Sequence, residues 1–298
     1  MKKQIKRLLA LGLAAGLLTA CGNTPVVQYD GSVNDTQQQV EAEKETENKT
    51  ETAQVVDGDA VKTGVSIQTT LEGENAGAQG DGYAKSNISI VAVTVGEDGA
   101  SHQTFEDIAL MRTIPGMVVV NPSDGASAEA LLKQVIEMNG PAYVRLGRAA
   151  VPMFYDEAAA SELKLGKGSC IRQGNDLTII ATGIMVNEAM MAAEELASEG
   201  IEARVIDMHT IKPLDEEIIV RAARETGAIV TCEEHSVIGG LGSAVAEVVV
   251  KKFPVRMAMV GQQDTFGESG KPDELKAKYK MTAADIVCAA LAAVENPA

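Results

Sequence analysis

The sequence contains no tryptophan and only four phenylalanines and five tyrosines among its 298 residues. Because 45% of the residues are nevertheless hydrophobic, a core must be built from alanine, valine, isoleucine, leucine and methionine. Positive charge is scarce too: 26 lysines and arginines face 42 acidic residues, and the net charge is −16. That sign repels phosphate backbones and excludes a role in nucleic-acid binding through a basic surface.

Cysteine is also rare, with four residues in the chain. Apart from Cys21, which follows a signal-like segment, these are Cys170, Cys232 and Cys288. An odd number of widely spaced cysteines indicates neither a disulfide framework nor a zinc site. Cys232 and Cys288 lie in the apolar runs AIVTC and ADIVCAALAAV. We therefore predict buried free thiols, which suit a reducing cytosol.

The apolar run near the start of the chain is too short to cross a bilayer. Leu8 to Leu18 follows the basic start KKQIKR and ends in Leu-Thr-Ala before Cys21. This pattern resembles the signal of bacterial lipoproteins, whose cysteine is lipidated after cleavage. The alternative is an ordinary secretory signal with an incidental cysteine. The lipoprotein resemblance predicts a lipid-anchored location at the cell membrane, whereas the thiols favour the cytoplasm.

A polar, acidic segment follows the signal-like residues 1–21 and extends over residues 22–88. It includes NDTQQQVEAEKETENKTET, which has few large apolar side chains. Such a composition cannot bury enough surface to offset chain entropy. We predict that this linker is largely disordered, above all over residues 24–60.

Strand-like and helix-like runs alternate from about Ser89 to the end of the chain. The strand-like runs are ISIVAVTV, GMVVVNPSD, PAYVRLGR, DLTIIATG, EARVIDM, AIVTCEE and VRMAMVG. Alternation with helices implies parallel pairing, and runs that are apolar on both faces favour a buried sheet. We predict an α/β fold with a first unit at residues 89–160 and a doubly wound, mostly parallel-sheet domain at residues 168–298.

The segment GEDGASHQ, Gly96 to Gln103, combines carboxylates and an imidazole in a loop bounded by glycines. A loop after a strand can present Asp98 and His102 to a substrate. Histidine suits proton transfer or hydroxyl recognition near neutral pH. The alternative is an acidic surface turn that leads into a helix capped by Ser101 or Thr104.

Three other groups of charged residues lie at strand ends. Arg145 and Arg148 in YVRLGR either bind a phosphate or carboxylate or form surface ion pairs. His209 follows a strand, where α/β ligand sites occur, but the adjacent PLDEE is also typical of helix capping. The Glu-Glu-His run at residues 233–235 precedes a glycine turn and a helix start, a position that suits an anion or a metal. The glycines there do not form the dinucleotide-binding motif.

Five collinear stretches resemble the transketolase family over residues of about 93–298. They are VTVGEDGASHQTFEDIALMRTIPGMVVVNPSD, GPAYVRLGR, TIIATGIMVNEAMMAAEELASEGIEARVIDMHTIKPLDEE, AIVTCEEHSVIGGLGSAVAE and DTFGESGKPDELKAKY. The match is most similar to the C-terminal subunit of transketolases that are split in two. The resemblance implies part of a pyrimidine-binding domain followed by the transketolase C-terminal domain.

The resemblance also implies a chemistry and a set of residues. Family members use thiamine diphosphate and Mg²⁺ or Ca²⁺ to move a two-carbon ketol unit between sugar phosphates. By motif position, Asp98 and His102 contact hydroxyl groups of the donor sugar, and Arg148 binds the acceptor phosphate. The domain at residues 168–298 supports a homodimer and holds no essential catalytic group. An N-terminal subunit carries the diphosphate-binding domain, so the cofactor binds only with that partner.

The sequence departs from the family pattern upstream of the GEDG loop. The Gly-Ile-Ala-Glu-Gln-like motif, whose glutamate activates the cofactor, is absent between Thr24 and Thr94. Residues 1–92 are instead similar to the start of secreted bacterial lipoproteins. We interpret the chain as a chimera joined within Val93 to Gly99, either a natural fusion or an assembly artefact, and we expect little or no turnover.

Two other interpretations remain open from the residues. One is a membrane-anchored lipoprotein in which the enzyme-derived fold has a non-catalytic binding or structural role. The other is a truncated product in which residues 168–298 fold alone and residues 89–150 are marginal, because the sheet of the first unit loses its neighbours.

Overall fold

The structure is a computed structural model that describes residues 103–147 and 150–295, together with the backbone of residues 87–90. Cys21, Asp98, His102 and Arg148 lie outside these residues, and so do the signal-like and linker segments. Within the described ranges, no helix is both long and apolar enough to cross a membrane.

Strands and helices alternate in two groups along the chain. The first group comprises β1 (Asn87–Ile90), α1 (Asp107–Thr113), β2 (Val118–Val120), α2 (Gly125–Glu137) and β3 (Ala142–Leu146). The second comprises α3 (Glu157–Ser161), β4 (Ser169–Arg172), β5 (Leu177–Ala181), α4 (Met185–Ser198), β6 (Ala203–Asp207), β7 (Thr210–Lys212), α5 (Glu216–Thr226), β8 (Ala228–Ser236), α6 (Leu241–Lys252), β9 (Arg256–Gln262), α7 (Pro272–Lys278) and α8 (Ala283–Glu295).

The first sheet has the strand order β1-β3-β2-β7. Strands β1, β3 and β2 are parallel, whereas β7 pairs with β2 in the antiparallel sense. Strand β7 comes from the second group, so the C-terminal half of the chain supplies one strand of the first sheet. The alternation in the sequence did not predict this short strand.

The second sheet has the strand order β4-β6-β5-β8-β9. Strands β6, β5, β8 and β9 are parallel and lie where the apolar runs predict them. Helices α4 and α8 pack on one face, and α5 and α6 pack on the other. The predicted doubly wound, mostly parallel sheet is therefore confirmed. Strand β4 is an antiparallel edge strand that the sequence pattern does not predict.

One apolar core is shared by the two sheets. It joins Val119 and Tyr143 of the first sheet to Ile180 and Ile206 of the second, together with residues of α5 and α6. Separate cores lie on the outer faces, under α4 and α8 in one case and under α2 in the other. Because the shared core lies at the junction, the two sheets are held as neighbours by burial of apolar surface.

Local signals explain why the helices start where they do. Asp124 caps α2 and accepts a hydrogen bond from the Ser127 backbone N–H, and Ser127 accepts one from the Asp124 backbone N–H in return. Asp215 caps α5, which ends at Gly227 with φ of 73°. Helix α1 has no side-chain cap, so the expectation that Thr104 caps this helix is wrong.

The cysteines differ in their surroundings. Cys232 is fully buried and free, as predicted, and Cys170 is half-buried and free. Burial raises the pKa of the Cys232 thiol well above its ordinary value. Only Cys170 and Cys232 are free thiols among the described cysteines, so the prediction of a free thiol at Cys288 is not confirmed.

Candidate functional site

The predicted substrate-binding residues belong to segments that start at one edge of the first sheet. Strands β1 and β3 are adjacent and parallel, and Ile90 pairs with Leu146 at their carboxyl ends. The chain after β1 continues into the segment with Asp98 and His102, and the chain after β3 reaches Arg148 two residues later. Ligands of α/β proteins bind beyond this end of the strands. The positions of the three side chains themselves lie outside the described residues and stay a prediction.

The segment that carries Asp98 and His102 returns to the described part of the chain at Gln103. The Gln103 side chain is buried, and its Nε2 donates to the backbone oxygen of Glu268, 3.1 Å away, in the loop before α7. A Cβ at Gly267 would overlap the side-chain oxygen of Gln103. The C-terminal half of the chain thus holds the residue that directly follows His102.

The next two residues, Thr104 and Phe105, are held by hydrogen bonds that their backbone oxygens accept. Nη2 of Arg145 donates to the Thr104 oxygen at 3.2 Å, and the Ser236 N–H donates to the Phe105 oxygen at 2.9 Å. The Phe105 ring is buried and packs edge-to-face on Tyr279, with 5.7 Å between ring centroids. The return point of the predicted substrate loop is therefore held by elements of both halves.

Arg145 lies inside the protein at the junction of the two sheets. It is 2% exposed and donates to Asp107 Oδ2 at 3.0 Å and to Glu234 Oε2 at 3.3 Å. Asp107 Oδ2 also accepts the Tyr143 hydroxyl at 2.7 Å. Burial opposes the charge of Arg145, but the two carboxylates outweigh it and raise its pKa. The predicted roles of Arg145, ligand binding or surface ion pairing, are both wrong.

The helix start after the Glu-Glu-His run is already occupied by a carboxylate of the chain. Glu233 accepts the backbone N–H groups of Leu241 and Gly242 at 2.6 and 2.8 Å. A Cβ at Gly240 would overlap this carboxylate. Burial raises the pKa of Glu233 to about 7, although these two N–H groups oppose the shift. The anion site predicted here is therefore filled from within, by Glu233 itself.

His235 has both ring nitrogens engaged. Its Nδ1 lies 2.7 Å from the Ser236 oxygen, which requires a proton on Nδ1, and its Nε2 accepts the Ala109 N–H at 3.3 Å. Burial lowers the pKa of His235, so the ring is neutral. Neither nitrogen is left to bind a metal, and the described residues contain no cluster that could hold a metal ion.

His209 and Asp207 are buried at the end of β6. His209 Nδ1 lies 3.0 Å from the Thr210 hydroxyl, and burial lowers the pKa of the ring to about 4. Asp207 accepts the hydroxyl groups of Ser123 and Tyr155 at 2.7 and 2.8 Å, and burial raises its pKa to about 7. We did not predict Asp207 from the sequence. The signal that could have identified it is its position at the end of a wholly buried strand.

The carboxyl edge of the second sheet is closed by the first unit. The Asn121 N–H donates to the His209 oxygen at 2.8 Å, and the Gly183 N–H donates to the Asn121 oxygen at 3.2 Å. A Cβ at Gly183, whose φ is 56°, would lie 2.6 Å from the Asn121 side chain. This edge is the usual ligand site of doubly wound sheets. Here it is occupied by protein, so His209 does not face a ligand.

The described residues do not by themselves fit the thiamine diphosphate that the resemblance implies. The buried carboxylates at the junction are Asp107, Asp124, Asp207, Glu233 and Glu234. Each of them accepts hydrogen bonds from the protein. All five are buried and held by donors of the protein, so within the described ranges none is presented on a surface that the aminopyrimidine ring of the cofactor could reach.

Two family models match the chain. The pyrimidine-binding domain of transketolase matches residues 80–153, and the C-terminal domain of transketolase matches residues 166–286. The first match begins upstream of the junction that we predicted within Val93 to Gly99. Strand β1 lies in this upstream stretch and pairs with β3. The family pattern thus extends further towards the N-terminus than the motifs indicated.

Two transketolase subunits are similar to this chain. A 6-deoxy-6-sulfo-D-fructose transketolase subunit of Clostridium sp. (strain MSTE9) is 48% identical over 70% of this chain and 65% of the relative. An apulose-4-phosphate transketolase subunit of Phocaeicola vulgatus is 42% identical over 72% of this chain and 69% of the relative. The chain thus spans about two thirds of the length of these curated relatives.

A solved structure is similar in fold as well as in sequence. It is a split-gene transketolase described as an inactive β4 tetramer, 46% identical to this chain, with a TM-score of 0.67. The likeness covers 72% of this chain and 68% of that one.

Proposed function

The chain belongs to the transketolase family, and from this premise we propose that it is the subunit of a split transketolase that carries the pyrimidine-binding and C-terminal domains. In this role it takes part in thiamine-diphosphate-dependent transfer of a two-carbon ketol unit between sugar phosphates. The observation that carries the proposal is the pair of adjacent parallel strands, β1 and β3, that end in register before the segments with Asp98, His102 and Arg148.

Each of these three side chains suits one part of a sugar phosphate. Asp98 and His102 supply an acceptor and an imidazole for hydroxyl groups of the donor sugar. Arg148 supplies a charge-assisted, bidentate contact to a phosphate group. In a chain with a net charge of −16, a local arginine is needed to attract such an anion.

We propose that an N-terminal subunit supplies the diphosphate-binding domain and Mg²⁺, and that even the complex with this subunit turns over little substrate. The activating glutamate motif is absent between Thr24 and Thr94. The buried carboxylates of the described residues are engaged within the protein. No group on these residues replaces that glutamate.

Reconstitution tests both parts of the proposal. The full chain is mixed with the N-terminal subunit of a split transketolase, thiamine diphosphate and Mg²⁺, and ketol transfer and complex formation are both measured. We expect a complex on size exclusion with little turnover. Robust turnover would contradict the impairment, and the absence of any complex would contradict the partnership.

Self-association is the expected state of the isolated chain. The similar split-gene transketolase is an inactive β4 tetramer, and the family resemblance implies a homodimer. We propose that this chain alone forms a homo-oligomer. Light scattering of the purified chain gives the mass directly, and a monomer at micromolar concentration would contradict this assignment.

A lipid anchor at Cys21 is proposed from the Leu-Thr-Ala-Cys pattern alone. It would place the chain at the cell membrane, and the cytoplasm is the alternative location that the enzyme family implies. Metabolic labelling with a fatty-acid analogue decides, with Cys21→Ser as the control. Label that is lost in the variant supports the anchor, and absence of label in the unsubstituted chain excludes it.

A further inference from the structure

A cavity of about 280 Å³ opens where the end of α1, strand β7 and helix α6 meet. Its apolar lining includes Ile211, Leu214 and Val248. We call it the basic cavity, because Arg112 and Lys212 lie on its α1–β7 side and further lysines lie on its α6 side.

The charge of the basic cavity is opposite to that of the chain. Four cationic side chains and two carboxylates line it, which leaves a surplus of two positive charges. The cations are Arg112, Lys212, Lys251 and Lys252, and the carboxylates are Glu216 and Glu247. The chain as a whole has a net charge of −16. A local excess of this kind raises the concentration of small anions at the cavity.

Two of the four cations are neutralised by the two carboxylates. Arg112 pairs with Glu247 at 3.0 Å, and Lys252 pairs with Glu216. These pairs account for both carboxylates in the lining. The surplus charge therefore lies on the two remaining lysines.

Lys212 and Lys251 have no carboxylate partner among the described residues. The ammonium group of Lys212 donates to the backbone oxygens of Arg112 and Ile114 at 2.8 and 2.6 Å. These acceptors are uncharged, and they leave one N–H of the ammonium group unused. Lys251 is exposed on α6. One lysine is thus held in a fixed position, and the other is free to close on a ligand.

We propose that the basic cavity binds a small organic phosphate. A phosphate dianion matches the two uncompensated ammonium charges, and the apolar lining suits the carbon skeleton of the ligand. The volume of about 280 Å³ lies just below the usual range for small-molecule sites, which limits the ligand to a few carbon atoms beside the phosphate. The two lysines of the basic cavity are not among the residues predicted to bind sugar phosphates, so the proposal does not depend on the proposed function.

Titration of the full chain with inorganic phosphate and with glycerol 3-phosphate, at constant ionic strength, tests the proposal by calorimetry. We expect saturable binding of both probes, with tighter binding of the ester. Lys251→Ala should weaken binding at least about tenfold, the change in Kd that one lost charge-assisted contact produces. The matched control is Lys133→Ala, which removes an exposed lysine that pairs with Glu129 on α2.

Lys212→Met serves as a second variant and should also weaken binding, provided that its circular dichroism matches the unsubstituted chain. Arg148→Ala separates the basic cavity from the proposed substrate site. Three outcomes would overturn the assignment: no saturable binding, equal weakening by Lys133→Ala, or loss of binding in Arg148→Ala with none in Lys251→Ala. Weakening confined to the two cavity lysines supports it, whether or not the chain proves active as a transketolase.

Discussion

The carboxyl edges of the two sheets differ in what lies beyond them. Beyond the second sheet are groups of the chain itself: Asn121 bonds to Gly183 and His209, and Glu233 fills the start of α6. Strands β1 and β3 of the first sheet are followed in the sequence by the segments that carry Asp98, His102 and Arg148. The carboxyl edge is therefore covered by the chain itself in the second sheet, whereas in the first sheet it leads to the candidate substrate residues. Polar residues at a strand end do not by themselves identify a ligand site.

The largest effect is expected from removing the buried charge of Arg145 at the junction of the two sheets. Arg145→Met leaves the carboxylates of Asp107 and Glu234 buried without their cation, which should lower the free energy of unfolding by roughly 3 to 5 kcal/mol. Denaturant titration measures the loss. The control Lys133→Ala, at an exposed ion pair, should cause only a small loss. A loss of that small size in Arg145→Met would mean that the junction does not depend on this ion pair.

A glycine substitution tests how tightly the edge of the second sheet is closed. A Cβ at Gly240 overlaps the Glu233 carboxylate and approaches His235 Nδ1, so Gly240→Ala should destabilise the fold by about 1 to 3 kcal/mol. Gly125→Ala is the matched control, because its Cβ would meet only Met153 Sδ at 3.8 Å. Thermal unfolding of both variants gives the comparison. Equal melting temperatures would contradict the close packing.

The pH dependence of the free energy of unfolding tests whether the buried carboxyl group of Asp207 is protonated in the folded chain. The pKa of Asp207 is raised from 3.8 to about 7 by burial, so the folded chain keeps a proton that the unfolded chain releases. The contribution of this group to stability therefore falls as the pH rises from about 4 to 7. His209, with its pKa lowered from 6.5 to about 4, acts in the opposite direction in both proteins and cancels from the comparison.

The variant Asp207→Asn has no such proton to lose. Relative to the unsubstituted chain it should gain stability between pH 5 and pH 8, on the order of 2 kcal/mol. Denaturant titrations at several pH values measure the difference. Asp264→Asn, at an exposed position, serves as the control for the substitution itself. A difference for Asp207→Asn that stays constant with pH would show that its carboxyl group titrates alike in both states.

The smallest effect on stability, about 1 kcal/mol, is expected at the boundary with the candidate substrate site. Gln103→Ala removes the hydrogen bond to the Glu268 oxygen. Hydrogen exchange, followed by mass spectrometry, should increase in peptides that cover residues 91–104 and stay unchanged in β5 and β8. The control Gln263→Ala removes only a local bond to the Gly261 oxygen. Unchanged exchange in Gln103→Ala would mean that the C-terminal half does not hold this segment.

The sequence predicted the second sheet well because its strands are apolar on both faces. Strands β5, β6 and β8 are buried along almost their whole length, and such runs are easily recognised. Strand β7 has three residues and pairs with β2 about ninety positions upstream, so no local pattern marks it. Strand β4 is only half-buried, and it lies in a polar, turn-rich stretch.

The buried contacts between the two sheets were harder to predict than the sheets themselves. The family motifs pointed to Asp98, His102 and Arg148, and these assignments stay predictions. The buried pairing of Arg145 with Asp107 and Glu234 depends on residues 38 and 89 positions apart, which spacing cannot reveal. One signal was present: the strand AIVTC continues directly into a Glu-Glu-His run, and charged residues that extend a buried strand need partners inside the protein.

Strand β7 also has a consequence for the order in which the protein is made. Val119 and Val120 emerge from the ribosome about ninety residues before Thr210 and Lys212, their partners in the first sheet. At synthesis rates of about 5 to 20 residues per second, that edge of β2 stays unpaired for several seconds before β7 is made. The N-terminal unit therefore cannot complete its sheet during its own translation. Until the C-terminal half has appeared, this edge of β2 is open to pairing with other strands.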